Sequence, residues 1–223
     1  MSGSWRQEIG IPLGVGNIDW LAIGQGQAYY LTKGYEYLEV PWLVPGHAVA
    51  ATKPAHARDF TTWAGALVAS GEQSFLAIRE SLEAGRKYQC VTPCFRDEAV
   101  HDDLHLRQFV KLELIHVLHD GQLPDSHVEA MISDAHEFIY NFSHGCELRV
   151  VRTEIGYDIE VNRIEVGSYG YREHEGFRWV YGTGIAQPRL AQAFWTKPPE
   201  GAVLVDPRTA ATGINLKDLM KDG

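Results

Sequence analysis

The chain has 223 residues, 45% hydrophobic and 22% charged, with a formal net charge of −9. This is enough chain to bury a sizeable core within one domain (residues 1–223), and the composition is that of an ordinary globular protein. No apolar run reaches the roughly 18 residues of a membrane span, and the acidic balance disfavours a broad nucleic-acid face, which needs clustered Lys and Arg.

Taken in chain order, Asn17 is a suitable N-cap for a first helix reaching Lys33, with Gly34 suited to the position just past its end. "YEYLEV" alternates as a strand and stops at Pro41. "EQSFLAIRESLEAG" spaces Phe75, Ile78 and Leu82 as a helix that Gly85 ends. "KYQCVTPCFRDE" and "LRQFVKLELIHVL" predict an antiparallel strand pair joined by an acidic turn. Asp125 and Ser126 are caps for a long amphipathic helix to about Phe142. "CELRVV", "YDIEVNRIEVGSYGYR" and "FRWVYGTGIA" read as strands, and "QPRLAQAFW" as a helix with Pro188 in its favoured first position. The Pro-rich tail after Trp195 is expected to wrap the surface. Strands that follow one another predict an α+β fold, mainly an antiparallel sheet flanked by helices. Neither a GxGxxG turn after a strand nor a GxxxxGK[ST] loop is present, which excludes a Rossmann or P-loop cradle.

Cys90, Cys94 and Cys146 form no CxxC pair and read as buried free thiols. The start, MSGSWRQEIG, lacks the apolar stretch of a signal peptide, so the expected location is the cytoplasm. The nine histidines other than His105 show no HExxH spacing and read as surface or hydrogen-bonded core residues.

One stretch carries chemistry. Alternation puts Arg96 and Glu98 on one face of their strand, and Phe109, Lys111 and Glu113 on one face of the next. Val110, Leu112 and Leu114 then point to a core. A guanidinium for phosphate, a carboxylate for an amino group and a ring for stacking are what an adenine nucleotide needs. A solvated sheet face is the plainer alternative.

This stretch resembles motif 2 of the class II aminoacyl-tRNA synthetases, FRxE followed by (H/R)xxxF, here Phe95 to Glu98 and His105 to Phe109. "GYEYLEVPWL", Gly34 to Leu43, is similar to motif 1. "GTGIAQPR", Gly182 to Arg189, is similar to motif 3 but has Ala186 for a glycine and Pro188 for a glutamate. "DIEVNRIEVGSYGYR" resembles a segment of the aspartyl, asparaginyl and lysyl subgroup, with Asp158, Glu165 and Arg172 at matching separations. "RQFVKLEL" looks more like the seryl, threonyl and prolyl subgroup, so the resemblance is mixed and names no amino acid. Biotin-type ligases share the fold, but their GRGRxG signature is absent.

The resemblance implies ATP and Mg2+ as cofactors. It implies Arg96 on the α-phosphate, Glu98 on the adenine amino group and Phe109 stacked on the base. His105 would sit near the β- and γ-phosphates, Gly184 would belong to the nucleotide site, and Arg189 would reach the γ-phosphate or the ring's other face. Asp158 and Glu165 would hold magnesium, and Glu72 would pair with a substrate's α-ammonium. For Asp158, Glu165 and His105, solvated hairpin or turn residues are the plain alternatives. Arg96 and Arg189 would be the catalytic cations. The implied assembly is a homodimer built on motif 1. Because the resemblance covers about residues 17–195, no length is left for an anticodon-binding domain. The expected activity is therefore formation of an aminoacyl-adenylate, with the acceptor a carrier protein, a protein side chain or a small molecule. A minimal tRNA synthetase reading an acceptor stem and a non-catalytic binding paralogue are the alternatives.

Overall fold

The computed structural model describes residues 18–53, 58–97, 104–142 and 146–195. The first helix, α1, is Trp20–Thr32, and Asp19 caps it, its Oδ1 accepting the Ala22 N–H at 2.9 Å. Asn17, the cap expected from sequence, lies outside the described residues. Gly34 leaves the helix at φ +84°, the left-handed exit its glycine anticipates.

The main sheet has seven strands in the order β1-β5-β6-β10-β9-β8-β7. These are β1 (Tyr35–Tyr37), β5 (Lys87–Phe95), β6 (Gln108–Val117), β7 (Leu148–Arg152), β8 (Tyr157–Val161), β9 (Ile164–His174) and β10 (Phe177–Gln187). Only β1 with β5 is parallel; every other pairing is antiparallel, as the α+β reading predicts. β8 and β9 are joined by a two-residue turn at Asn162 and Arg163, both at positive φ, which suits the twist of the flanking strands. A second sheet, β2 (Leu43–Val44), β4 (Gly65–Leu67) and β3 (Thr61–Thr62), and the short helix α2 (Gly46–Ala50) were not legible in sequence. Strands of two or three residues are too short to show a period.

The helix expected over 72–85 is shorter. α3 is Gly71–Ala77, and a 3-10 turn follows at Arg79–Ser81. The break at Ile78 lets Ile78 and Leu82 both pack on one apolar cluster. α4 is Asp125–Phe142, as expected, and α5 is Arg189–Trp195, with Pro188 one residue before it rather than inside it. Cys90 and Cys94 are buried free thiols; Cys146 is free and only partly buried. Among the described residues no helix is long and apolar enough to cross a membrane.

The sheet separates two cores. On one face α1 and α4 pack Ile23, Tyr30, Met131, Ile132 and Ile139 against Leu112, Leu114, Tyr169 and Ile185. On the other, Val44, Val49 and Phe75 pack against Tyr88, Ile115, Val117 and Trp179.

The edge of the first core holds a histidine cluster. His116 is 7% exposed, and its ring meets that of His127, at the start of α4, edge-on at 4.6 Å. Burial lowers its pKa to about 4, assisted by the charges of His127, Lys87 and His119; the Gly85 backbone opposes the shift. The unfolded state therefore binds more protons than the folded state between about pH 6.5 and 4, and stability falls as pH drops through that window. Urea denaturation at pH 7 and pH 5 should show the wild type losing on the order of 1–3 kcal/mol more than His116→Phe. Parallel losses in the two proteins would remove His116 from the account.

Candidate nucleotide and substrate site

A cleft of about 830 Å³ opens on the second face of the sheet, beside the smaller core. Alternation along β6 directs Phe109, Lys111 and Glu113 into it while Val110, Leu112 and Leu114 are buried in the first core. On β5 the partners across the ladder are Cys94, Thr92 and Cys90.

One end of the cleft gathers residues from four separate segments. The Arg96 guanidinium lies 5.1 Å from the centre of the Phe109 ring, and its Nε donates to the Ala69 carbonyl at 3.2 Å. Arg189, at the start of α5, donates from Nη2 to the Leu104 carbonyl at 2.9 Å, and its Nη1 is 3.6 Å from Glu165 Oε1 on β9. His105 lines the same cleft and is exposed. Arg96, Phe109, His105, Glu165 and Arg189 are thus brought together by the fold, although up to 93 residues separate them in the chain. Glu98 lies outside the described residues.

The other end is a buried ion-pair network. Glu72 is 8% exposed; its Oε2 accepts from Arg172 Nη1 at 2.9 Å and its Oε1 from the Trp179 indole N–H at 2.7 Å. Burial raises the Glu72 pKa, and Arg172 and Trp179 work against that rise. The Arg172 guanidinium also lies 4.6 Å from the centre of the Tyr181 ring.

Neither sequence comparison gives a match: no family model matches the chain, and no curated protein matches it. Its fold has solved counterparts. The cytoplasmic serine-tRNA ligase of Naegleria fowleri, solved in complex with AMP, superposes with a TM-score of 0.62 at 16% identity, covering 80% of this chain and 54% of its own. The pyrrolysyl-tRNA synthetase PylSc of Desulfitobacterium hafniense does so with a TM-score of 0.60 at 14% identity, covering 79% and 69%. The chain has the fold of a class II aminoacyl-tRNA synthetase catalytic core. It spans about half the length of the Naegleria ligase.

Within this synthetase fold, two expected site residues do not line the cleft, and a third lines it but is already paired. Gly184 does not line the cleft. It is the extra residue of a β-bulge, since Thr183 pairs with Glu113 and Ile185 with the adjacent Leu112. A Cβ there would meet Leu112 Cδ2 at 2.5 Å and Tyr30 Cε2 at 2.8 Å, so Gly184 serves packing in the first core. The bulge resets the alternation and turns Ala186, rather than Ile185, to the cleft. Asp158 is not among the residues that line the cleft. It is paired with Ser168 across β8 and β9, and its pKa is raised by burial and then by the negative charge of Glu165. Glu72 faces the cleft as expected, but Arg172 and Trp179 already hold it. The sequence reading placed Lys111 and Glu113 on the right face and gave neither a role. It missed Ser70, Gln73, Tyr181 and Thr183, because no spacing rule links them to the motifs.

Two stability measurements test this geometry. Gly184→Ala should destabilise by about 1–3 kcal/mol through overpacking; an unchanged melting temperature would contradict the close approach. Arg172→Ala should cost on the order of 2 kcal/mol at pH 7, less than breaking a fully buried pair because Arg172 is 28% exposed. Glu72, left buried without its cation, then has a folded pKa raised further. Its protonation stabilises the folded state, so the deficit should shrink as pH falls toward the ordinary carboxylate range. A pH-independent deficit would show that Glu72 does not depend on Arg172.

Proposed function

We propose that the protein activates the carboxylate of an amino acid with ATP, forming an aminoacyl-adenylate and pyrophosphate, and passes the acyl group to an acceptor other than a full tRNA. The observation that carries this reading is the convergence of Arg96 and Arg189 with the Phe109 ring at one end of a single cleft. A substrate carboxylate oxygen attacks the α-phosphorus. The bond from that phosphorus to its β-bridging oxygen breaks, and pyrophosphate leaves with the electron pair. No side chain has to remove a proton, so the protein's task is positioning and charge stabilisation.

Arg96 holds the α-phosphate and neutralises charge as the pentacoordinate phosphorus forms. Phe109 stacks the base, with Arg96 moving off the ring to admit it. Glu98 accepts from the adenine amino group. His105 and Arg189 take the outer phosphates, and Glu72 takes the α-ammonium in competition with Arg172. Glu165, on the cleft wall, and Asp158, close enough for the charge of Glu165 to raise its pKa, would hold magnesium, a hard cation that takes carboxylate oxygens. When bound, the ion supplies positive charge to the triphosphate. The net charge of −9 favours a carrier protein, a protein side chain or a small molecule as acceptor over a nucleic acid.

The test is ATP–pyrophosphate exchange screened across the amino acids and related carboxylates. Wild type should exchange with one of them. Arg96→Ala should lose roughly ten- to a hundredfold, the worth of a charge-assisted contact, and Arg189→Ala should abolish exchange. ATP binding without exchange, restored by Pro188→Glu, would instead make the chain a degenerate binding module.

The same reading makes the protein a homodimer through α1 and β1. α1 supports this by exposing Trp20 at 63%, Leu21 at 73% and Leu31 at 54%. Sedimentation equilibrium should give about twice the chain mass of 25.0 kDa, and Leu21→Asp should return the single-chain mass. A wild-type monomer at micromolar concentration would contradict the assembly.

A further inference from the structure

Glu113 has no part in the chemistry proposed above, yet it is among the most heavily bonded side chains of the cleft. It is 5% exposed at the cleft floor. Its Oε1 accepts from Ser70 Oγ at 2.8 Å and from Lys111 Nζ at 2.7 Å, and its Oε2 accepts the Gly71 N–H. Burial pushes its pKa up, but the Lys111 charge and the hydrogen bonds from Lys111, Ser70 and Gly71 outweigh burial, so the carboxyl lies below its ordinary value. It is an anion with three donors converging on it.

Two of those donors belong to the turn that opens α3. Ser70 Oγ also accepts the Glu72 N–H at 3.2 Å, so one hydroxyl links Glu113 to the backbone of Glu72. Gly71 can come this close only because it has no side chain: a Cβ would meet Cys90 Sγ at 2.7 Å and Glu113 Oε2 at 2.8 Å. The next residue, Glu72, crosses to the far wall and holds Arg172 and Trp179. One continuous set of bonds thus runs from β6 through the first turn of α3 to β9 and β10.

We infer that Glu113 is a positioning residue: through Ser70 and Gly71 it fixes where Glu72 faces the cleft, and it directs the Lys111 ammonium to the same space. It therefore sets affinity for the amino-acid substrate more than affinity for ATP, because Glu113 bonds directly to the turn that carries Glu72, whereas Arg96 meets that turn through its hydrogen bond to the Ala69 carbonyl. This rests on the amino-acid reading of the cleft. Its structural half, the control of Glu72, is independent of that reading.

The discriminating variant is Glu113→Gln, which keeps shape and volume. A glutamine has one acceptor oxygen. With that oxygen toward Lys111 and Ser70, its amide NH2 faces the Gly71 N–H, donor against donor, and the turn must shift. The Trp179 indole N–H, bonded to Glu72, reports that shift as a resonance in the 15N spectrum of the folded protein, assigned by its loss in Trp179→Phe. Glu113→Gln should move this resonance, and Ser70→Ala should move it less and in the same direction. In pyrophosphate exchange, Glu113→Gln should raise the KM for the amino acid about tenfold while the KM for ATP stays within about twofold.

An unmoved Trp179 resonance in both variants overturns the inference, as does an equal rise in both KM values. If Glu113→Gln does not fold, the Ser70→Ala resonance decides alone. If wild type shows no exchange with any carboxylate, the functional reading fails, while the resonance still decides whether Glu113 positions Glu72.

Discussion

The alternation of side chains along β6 is the constraint on which everything else depends. Val110, Leu112 and Leu114 must enter the core under α1 and α4, so Phe109, Lys111 and Glu113 are forced to the opposite face. A one-residue slip would bury the charged set in that core and expose the leucines, so the register is specified by apolar burial rather than by the site itself. Neighbouring strands obey the same register: Arg172 is paired with Trp179, and Thr183 with Glu113. The bulge at Gly184 resets the alternation on β10, and it occurs where the chain turns toward Pro188 and Arg189.

A second consequence is electrostatic. Most carboxylates of the cleft already have a cation close by. Glu72 has Arg172, Glu113 has Lys111, Glu165 has Arg189 and Asp59 has Lys53. Glu72 and Glu113, both buried, stay charged only when paired, whereas Glu165 is exposed. On the proposed function a ligand would enter by exchanging partners: a triphosphate would take Arg189 from Glu165, and an ammonium would share Glu72 with Arg172. The two exchanges sit at opposite ends of the cleft, which suits a site for two substrates.

The parts legible in sequence were those with a long period or a strong punctuation signal. The β5 and β6 pair, the long helix α4 and the exit at Gly34 all follow from alternation, helical spacing or a glycine. The core-facing role of Leu112 and the cleft-facing role of Arg96 came from the same alternation. What was not legible depended on tertiary contact. The strands of the small sheet are too short for a period, and α3 ends early because Ile78 and Leu82 share one cluster. The partners of Glu72 are 100 and 107 residues away along the chain. Gly184 reads as a nucleotide-site glycine in a motif, while its structural duty is to let Tyr30 and Leu112 approach the strand.

The central claim is that one cleft holds ATP between Phe109, Arg96 and Arg189. The most direct measurement is a crystal structure of the protein with a non-hydrolysable ATP analogue and magnesium. The account predicts the purine against the Phe109 ring, Arg96 displaced from that ring onto the α-phosphate, and Arg189 released from Glu165 onto the outer phosphates. A cleft that stays empty at saturating nucleotide, or a nucleotide bound away from Phe109 with the Arg189–Glu165 pair intact, would contradict it.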